Sequence, residues 1–206
     1  MSLLLLLRHL PTEDDVNNIY TSRHAQAPFA LLPKSDLSQL QDEITEFFVR
    51  HKLRYLYCSD NSRGTGTANI ISAGLRCNHE VLVDSRLNNI QHPEWDGMPQ
   101  DTVKLTPLYH LWHSSPADTV FSDGESLHDV ARRVDSFLQT YAQTGGLIVS
   151  HTVPMQVLVC RLLGVPLSRI WSFKFDHWRL TVVLDDILLR YNASRINDIA
   201  FTELRR

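Results

Sequence analysis

Leu3-Leu4-Leu5-Leu6-Leu7-Arg8-His9 runs five leucines straight into a guanidinium and an imidazole. A short apolar run that does not alternate suits a strand buried on both faces of a parallel sheet. Pro11, Thr12 and an acidic stretch follow, so the Arg8-His9 pair falls where strand becomes loop. Leu147-Ile148-Val149-Ser150 before His151 has the same form, as does Tyr55-Leu56-Tyr57-Cys58 before Ser59-Asp60-Asn61-Ser62-Arg63. Val81-Leu82-Val83 gives another short strand. Between these strands the spacing turns helical. Leu37, Leu40, Ile44, Phe47 and Phe48 share one stripe, with Ser35 or Asp36 as the cap. Ala68, Ile70, Ile71 and Leu75 mark a second helix. Leu127, Val130, Val134, Phe137, Leu138 and Tyr141 mark a third, stopped by Gly145-Gly146. A fourth follows His151, with Pro154 near its first turn and Gly164 past its last. Thr181 to Leu184 and Ile187 to Tyr191, joined by Asp185-Asp186, predict a hairpin. Strands alternating with helices predict an α/β fold, a three-layer sandwich with a mostly parallel central sheet flanked by helices.

The chain has 206 residues without a repeat, linker or low-complexity tract, so one domain over 1–206 is expected. Its segment from about 86 to 122 carries Pro93, Pro99, Pro107 and Pro116 without sustained periodicity and reads as a loop-rich insertion. Hydrophobic residues make up 43% and charged residues 21%, which excludes a disordered, collagen-like or coiled-coil chain. A net charge of -3 gives no electrostatic case for nucleic acid as the main partner. No apolar stretch approaches the roughly 20 residues of a membrane span. The leucine run lacks a basic flank and a small-residue cleavage site, so it is not read as a signal peptide, and a cytoplasmic location is expected. Cys58, Cys77 and Cys160 form no C-x-x-C pair and support neither a zinc ribbon nor a disulfide framework. A reducing compartment fits them. A homodimer is left open.

Three strands thus end in Arg8-His9, in Ser59 to Arg63, and in Ser150-His151. In an open parallel sheet the carboxyl ends of the strands face one crevice, where ligands bind. Arginine offers planar donors to phosphate oxygens. One neutral histidine can attack phosphorus while a second, protonated one neutralises the equatorial oxygens. The helix starting after His151 aims its first N–H groups at an anion. The constellation predicts a phosphoryl-binding site. His110 and His113 have the spacing of one helical face, but Pro107 and Pro116 weigh against a helix there. No carboxylate or cysteine completes a shell, so pocket lining is the functional reading and no metal is expected. Arg23-His24 is a candidate entrance pair. His177-Trp178-Arg179 reads as a pocket edge or a packed loop.

Leu7-Arg8-His9 with Thr12 resembles the Arg-His-Gly-x-Thr signature of the histidine phosphatase superfamily, the phosphoglycerate-mutase-like group. Ser59 to Arg63 followed by Thr67-Ala68 resembles its second-arginine motif. Leu87 through Trp95-Asp96-Gly97, Gly124-Glu125-Ser126-Leu127 with Arg133-Val134, and Val149-Ser150-His151 are similar to three further blocks in family order. The resemblance implies that His9 becomes a phosphohistidine while Arg8, Arg63 and His151 hold the phosphoryl group, without metal or organic cofactor. It implies a phosphatase of a small phosphorylated metabolite, and the chain's length favours the compact phosphatases over the longer mutases.

The departures are informative. Leu10 and Pro11 stand where the family has glycine and a polar residue, and Thr152 replaces the glycine after the second histidine, leaving a backbone N–H to serve. Asp15 stands where a phosphate-touching asparagine is expected. Asn89 occupies the slot of the glutamate proton donor, and an amide can bind phosphate oxygens but cannot protonate a leaving group. Candidate replacement acids are Glu125, Glu94, Asp96 and Asp15, with Glu125 otherwise a helix-start carboxylate. The alternatives are a leaving group that needs little protonation, or a phospho-ligand-binding protein with weak or no catalysis.

Overall fold

The computed structural model describes residues 3–22, 26–141 and 144–197. Its strands are β1 (Leu3–Arg8), β2 (Tyr55–Cys58), β3 (Glu80–Val83), β4 (Gly146–Ser150), β5 (Leu180–Leu184) and β6 (Ile187–Ala193). They form one six-stranded sheet in the order β3-β2-β4-β1-β5-β6. The neighbours β3, β2, β4 and β1 are mutually parallel. β5 runs antiparallel to both β1 and β6. The sheet is therefore mostly parallel, as expected, with β5 alone reversed and the expected hairpin as its antiparallel edge. The turn at Asp185-Asp186 is too short for anything but antiparallel partners.

The helices are α1 (Glu13–Val16), α2 (Lys34–His51), α3 (Ser62–Gly74), α4 (Gln100–Val103), α5 (Pro107–Ser114), α6 (Leu127–Tyr141) and α7 (Thr152–Leu162). Strand period divides the leucine run between two layers. Leu4 and Leu6 pack with Tyr57, Ile148, Val134, Phe137, Val157 and Leu158 on the α6 and α7 side. Leu5 and Leu7 pack with Leu56, Leu147, Ile44, Phe47 and Ile71 on the α2 and α3 side. Every residue of β4 is buried, as a central strand covered on both faces must be.

Two local expectations are corrected. α2 has Pro33 at its N-cap and no side-chain cap, so neither Ser35 nor Asp36 fills that role. Asp36 instead sits in the first turn, where the helix dipole favours it. The segment from 86 to 122 is not simply loop: it holds α4, α5 and two single-turn helices, Ser85–Leu87 and Pro93–Trp95. Pro107 does not oppose α5 but starts it, since a first-turn position needs no N–H. Thr106 caps that helix by accepting from Tyr109 N at 3.2 Å. Trp95, Val103, Trp112 and Phe121 from this segment join the α6 and α7 core.

Gly146 begins β4 at φ +143, and a Cβ there would stand 2.4 Å from Tyr55 O in the neighbouring strand. Gly146→Ala is expected to destabilise the protein by about 2–3 kcal/mol. At this chain length that lowers the thermal midpoint by roughly 4–12 °C. An unchanged midpoint in circular dichroism melts would contradict this register between β4 and β2.

Candidate active site

Strand register brings the candidate residues together. Arg8 pairs with Ser150, and Cys58 with Val149, so β1, β2 and β4 end level with one another. His9 N donates to Ser150 O at 2.9 Å and Ser59 N to Val149 O at 3.2 Å, which ties down the residue after each strand. His151 is the N-cap residue of α7, with Thr152 in its first turn. The first amides of such a helix lack intrahelical partners. Pro154 removes an N–H from that same first turn.

Both histidines are 3% exposed or less. His9 Nδ1 lies 2.8 Å from Leu10 O, which can only accept, so Nδ1 carries the proton and Nε2 keeps its lone pair. Burial, then the Arg8 charge, holds the His9 imidazole well below its ordinary pKa and therefore neutral. His151 Nε2 lies 2.8 Å from Asn61 Nδ2 and 2.9 Å from Ser59 Oγ. Gly64 N donates to Asn61 Oδ1 at 2.9 Å, which fixes the amide so that its NH2 faces His151. Nε2 of His151 must then accept, and its proton sits on Nδ1, a buried atom without a partner. Burial, then His9 and Arg63, also holds His151 neutral. The second imidazole is thus a neutral donor, not the protonated one expected, because an imidazolium would stand against two arginines. The His9 and His151 ring centroids are 5.0 Å apart.

Asp15 is the counterion of the cluster. Arg8 Nη2 donates to its Oδ1 at 2.7 Å, His177 Nε2 lies 3.3 Å from the same oxygen, and Thr12 N and Oγ1 donate to Oδ2 at 2.9 and 2.8 Å. Burial pushes its carboxyl up, but the His177 contact and the Arg8 guanidinium outweigh that and hold it well below the usual carboxylate range. A carboxylate so engaged is a poor proton donor. His177 also places Nδ1 2.7 Å from His9 O, and its ring stands edge-on to that of His9 at 5.3 Å. The sequence marks this residue only as a pocket edge or packed loop. Its signal is visible solely in the tertiary contact. Arg63 is 1% exposed and lies behind the cavity wall, with Nη1 bonded to Thr21 Oγ1, Nη2 donating to Ser22 O at 2.8 Å, and Nε without a partner.

A cavity of about 590 Å³ is lined by Arg8, His9, Asp15, Asn89, His151 and Thr152, among others. Asn89 Nδ2 donates to Thr21 O at 2.9 Å. Glu125 and Glu94 do not reach the lining. Arg133 Nε bonds Glu125 Oε1 at 2.9 Å and Gln91 N donates to Oε2 at 3.1 Å, while Glu94 accepts from Ser122 N. Asp96 accepts from Ser22 N at 2.7 Å and is also outside the lining. His113 lines the cavity from α5, whereas His110 does not. Arg23-His24 lies outside the described residues. Among the described residues, His9, Asp15 and His177 have ligand atoms within 4.8 Å of one another. Arg8 and Thr12 already occupy Asp15, so the trio is an ion-paired cluster with a cation in place. No helix among the described residues is long and apolar enough to cross a membrane.

Residues 4–186 match the model of the histidine phosphatase superfamily (branch 1). The chain is 37% identical over 141 residues to phosphoserine phosphatase 1 of Hydrogenobacter thermophilus, a match covering 65% of each chain. It is 28% identical over 180 residues to the adenosylcobalamin/alpha-ribazole phosphatase of Salmonella typhimurium, covering 84% of this chain and 85% of that protein. In fold it is similar to the alpha-ribazole phosphatase of Shigella flexneri, with a TM-score of 0.78, 21% identity, and coverage of 95% and 98% of the two chains.

Two expectations follow from the buried imidazoles. Their pKa values are lowered in the folded chain from 6.5, so above that value both are neutral in either state and their stabilising contribution is complete. As pH falls below 6.5 the unfolded chain binds protons that the folded chain refuses, and stability is lost at up to about 1.4 kcal/mol per pH unit per imidazole. Urea midpoints between pH 7.5 and 5.5 should fall with pH, and His151→Gln should flatten the slope. An equally steep variant profile would contradict the assignment. A Cβ on Gly64 would stand 1.9 Å from Ser59 Oγ and 2.9 Å from Ser59 O. Gly64→Ala should therefore loosen the clamp on His151, weakening phosphate protection against thermal unfolding more than it lowers the melting point of the free protein.

Proposed function

The chain belongs to the histidine phosphatase superfamily, and from that membership we propose that it hydrolyses a phosphomonoester of a small metabolite through a phosphohistidine on His9. One observation carries this reading. A neutral imidazole with an available Nε2 lone pair lies among buried donors of the cavity lining that have no partner: Arg8 Nε and His151 Nδ1. An unmade hydrogen bond in the interior is costly, and a phosphoryl group satisfies several such donors at once.

In the proposed first step, Nε2 of His9 attacks phosphorus and the bond to the leaving oxygen breaks. The Leu10 carbonyl stays on Nδ1–H and stabilises the positive charge that the phosphorylated ring acquires. Arg8, His151, the Thr152 backbone N–H and Asn89 hold the non-bridging oxygens, and Arg63 adds its charge from behind. In the second step water attacks phosphorus and the electron pair of the P–N bond returns to Nε2. Relatives named for phosphoserine and for alpha-ribazole support a small phosphorylated metabolite as the substrate class.

Asn89 favours one other reading, a phospho-ligand-binding protein with weak or no turnover, since an amide releases no proton. Hydrolysis of an aryl phosphate by the native chain, lost by about 10⁴-fold or more in His9→Ala, is the expected result. An undiminished rate in that variant would overturn the His9 mechanism. Vanadate binding without turnover of any substrate would establish the binding protein instead.

A further inference from the structure

The cavity beside His9 has carboxylates in its lining, but each is held as an acceptor. Asp15 takes Arg8 and His177 on one oxygen and Thr12 on the other. Asp176 has Lys174 Nζ at 3.0 Å from Oδ1 and Asn192 Nδ2 at 2.8 Å from Oδ2. Where the resemblance puts a glutamate, Asn89 offers an amide turned to the Thr21 carbonyl. Glu125 and Glu94 are spent on Arg133 and on Ser122 N, outside the lining. Burial holds the imidazoles of His92 and His113 below their ordinary range, and it pushes the Tyr20 hydroxyl up to about 12. No carboxylic acid stands ready among the described lining residues.

The same cavity is walled by flat rings. Trp171 stacks on His113 at 4.6 Å and 15°, Tyr109 lies 4.2 Å from His113, and Trp112 meets Trp171 edge-on at 5.3 Å. Gln156 is 3% exposed, donates Nε2 to Phe173 O at 2.6 Å, and leaves Oε1 without a partner in the lining. Such walls favour a planar, unsaturated group carrying one hydrogen-bond donor.

Resting on the His9 reading, we propose that the substrate carries its phosphoryl group on an oxygen bonded to an sp2 carbon, as in an aryl, enol or acyl phosphate. The His9 Nε2–P bond forms as the P–O bond breaks, and the electron pair goes to an oxygen whose charge is delocalised into the attached π system. That oxygen leaves as an anion and takes its proton from solvent. Water then attacks the phosphohistidine, the P–N electron pair returns to Nε2, and of that water's two protons one stays on the inorganic phosphate and the other passes to solvent, replacing the one the leaving oxygen took. No step needs an acid from the protein. The aromatic walls hold the flat group that makes this possible.

The test is a series of substituted phenyl phosphates spanning acidic to weakly acidic phenols, with phosphoserine and glycerol phosphate as alkyl members. kcat/KM reports every step through phosphorylation of His9. It is expected to fall steeply as the leaving group becomes more basic, with alkyl members about 10²–10⁴-fold below the value that a positioned acid would sustain. A shallow dependence, with phosphoserine turned over about as fast as the phenyl esters, would overturn the leaving-group inference and leave the His9 mechanism standing. Failure to hydrolyse any member while vanadate still binds would overturn both.

Discussion

Two imidazoles with centroids 5.0 Å apart share a buried site with two guanidinium groups, and that packing holds only while both rings are neutral. Two charged imidazoles at that distance in a low-dielectric interior would repel one another and both arginines. The surrounding contacts enforce neutrality by choosing which nitrogen keeps the proton. The Leu10 carbonyl accepts from His9 Nδ1, and the Asn61 amide donates to His151 Nε2. Gly64 matters because only a residue without Cβ lets α3 start close enough for its N–H to fix that amide. Asp15, tied to Arg8 and His177, supplies the negative charge that keeps the cluster from excess. The result is a neutral imidazole with an available Nε2 lone pair, a neutral N–H donor and two guanidinium groups gathered inside a chain whose net charge is -3.

The sheet makes this geometry repeatable. His9, Ser59 and His151 each follow a strand whose last residue is register-locked to its neighbour, so their positions are set by backbone hydrogen bonds rather than side-chain preference. Leu4 through Leu7 anchor β1 by filling both layers alternately. Groups needed within a few tenths of an ångström sit on the most buried part of the fold, whereas the cavity wall comes from α5 and from the segment around Trp171, farther from the sheet.

The central strands were legible because burial on two faces leaves a continuous apolar run, and Arg8, His9 and His151 were legible because they close such runs. The mixed sheet was less so: β5 reads as a strand without announcing its direction beside β1. α5 was missed since Pro107 reads as a breaker unless it is known to occupy the first turn. His177 lies 168 residues from His9, and no local pattern marks it as a partner of the His9 carbonyl. Asp15, Glu94 and Glu125 were candidate acids by residue type alone. A partner distant in sequence, His177, helps decide that the first is an ion-paired carboxylate, and Arg133, two helical turns on, that the last is a structural one.

Ring-nitrogen NMR of the ¹⁵N-histidine-labelled protein at neutral pH tests the neutrality of the two imidazoles most directly. His9 and His151 are expected to show the pattern of a neutral ring protonated on Nδ1, the less common tautomer in solution, with an unprotonated Nε2 in each. An imidazolium pattern for either residue, or a proton on Nε2 of His9, would contradict the account.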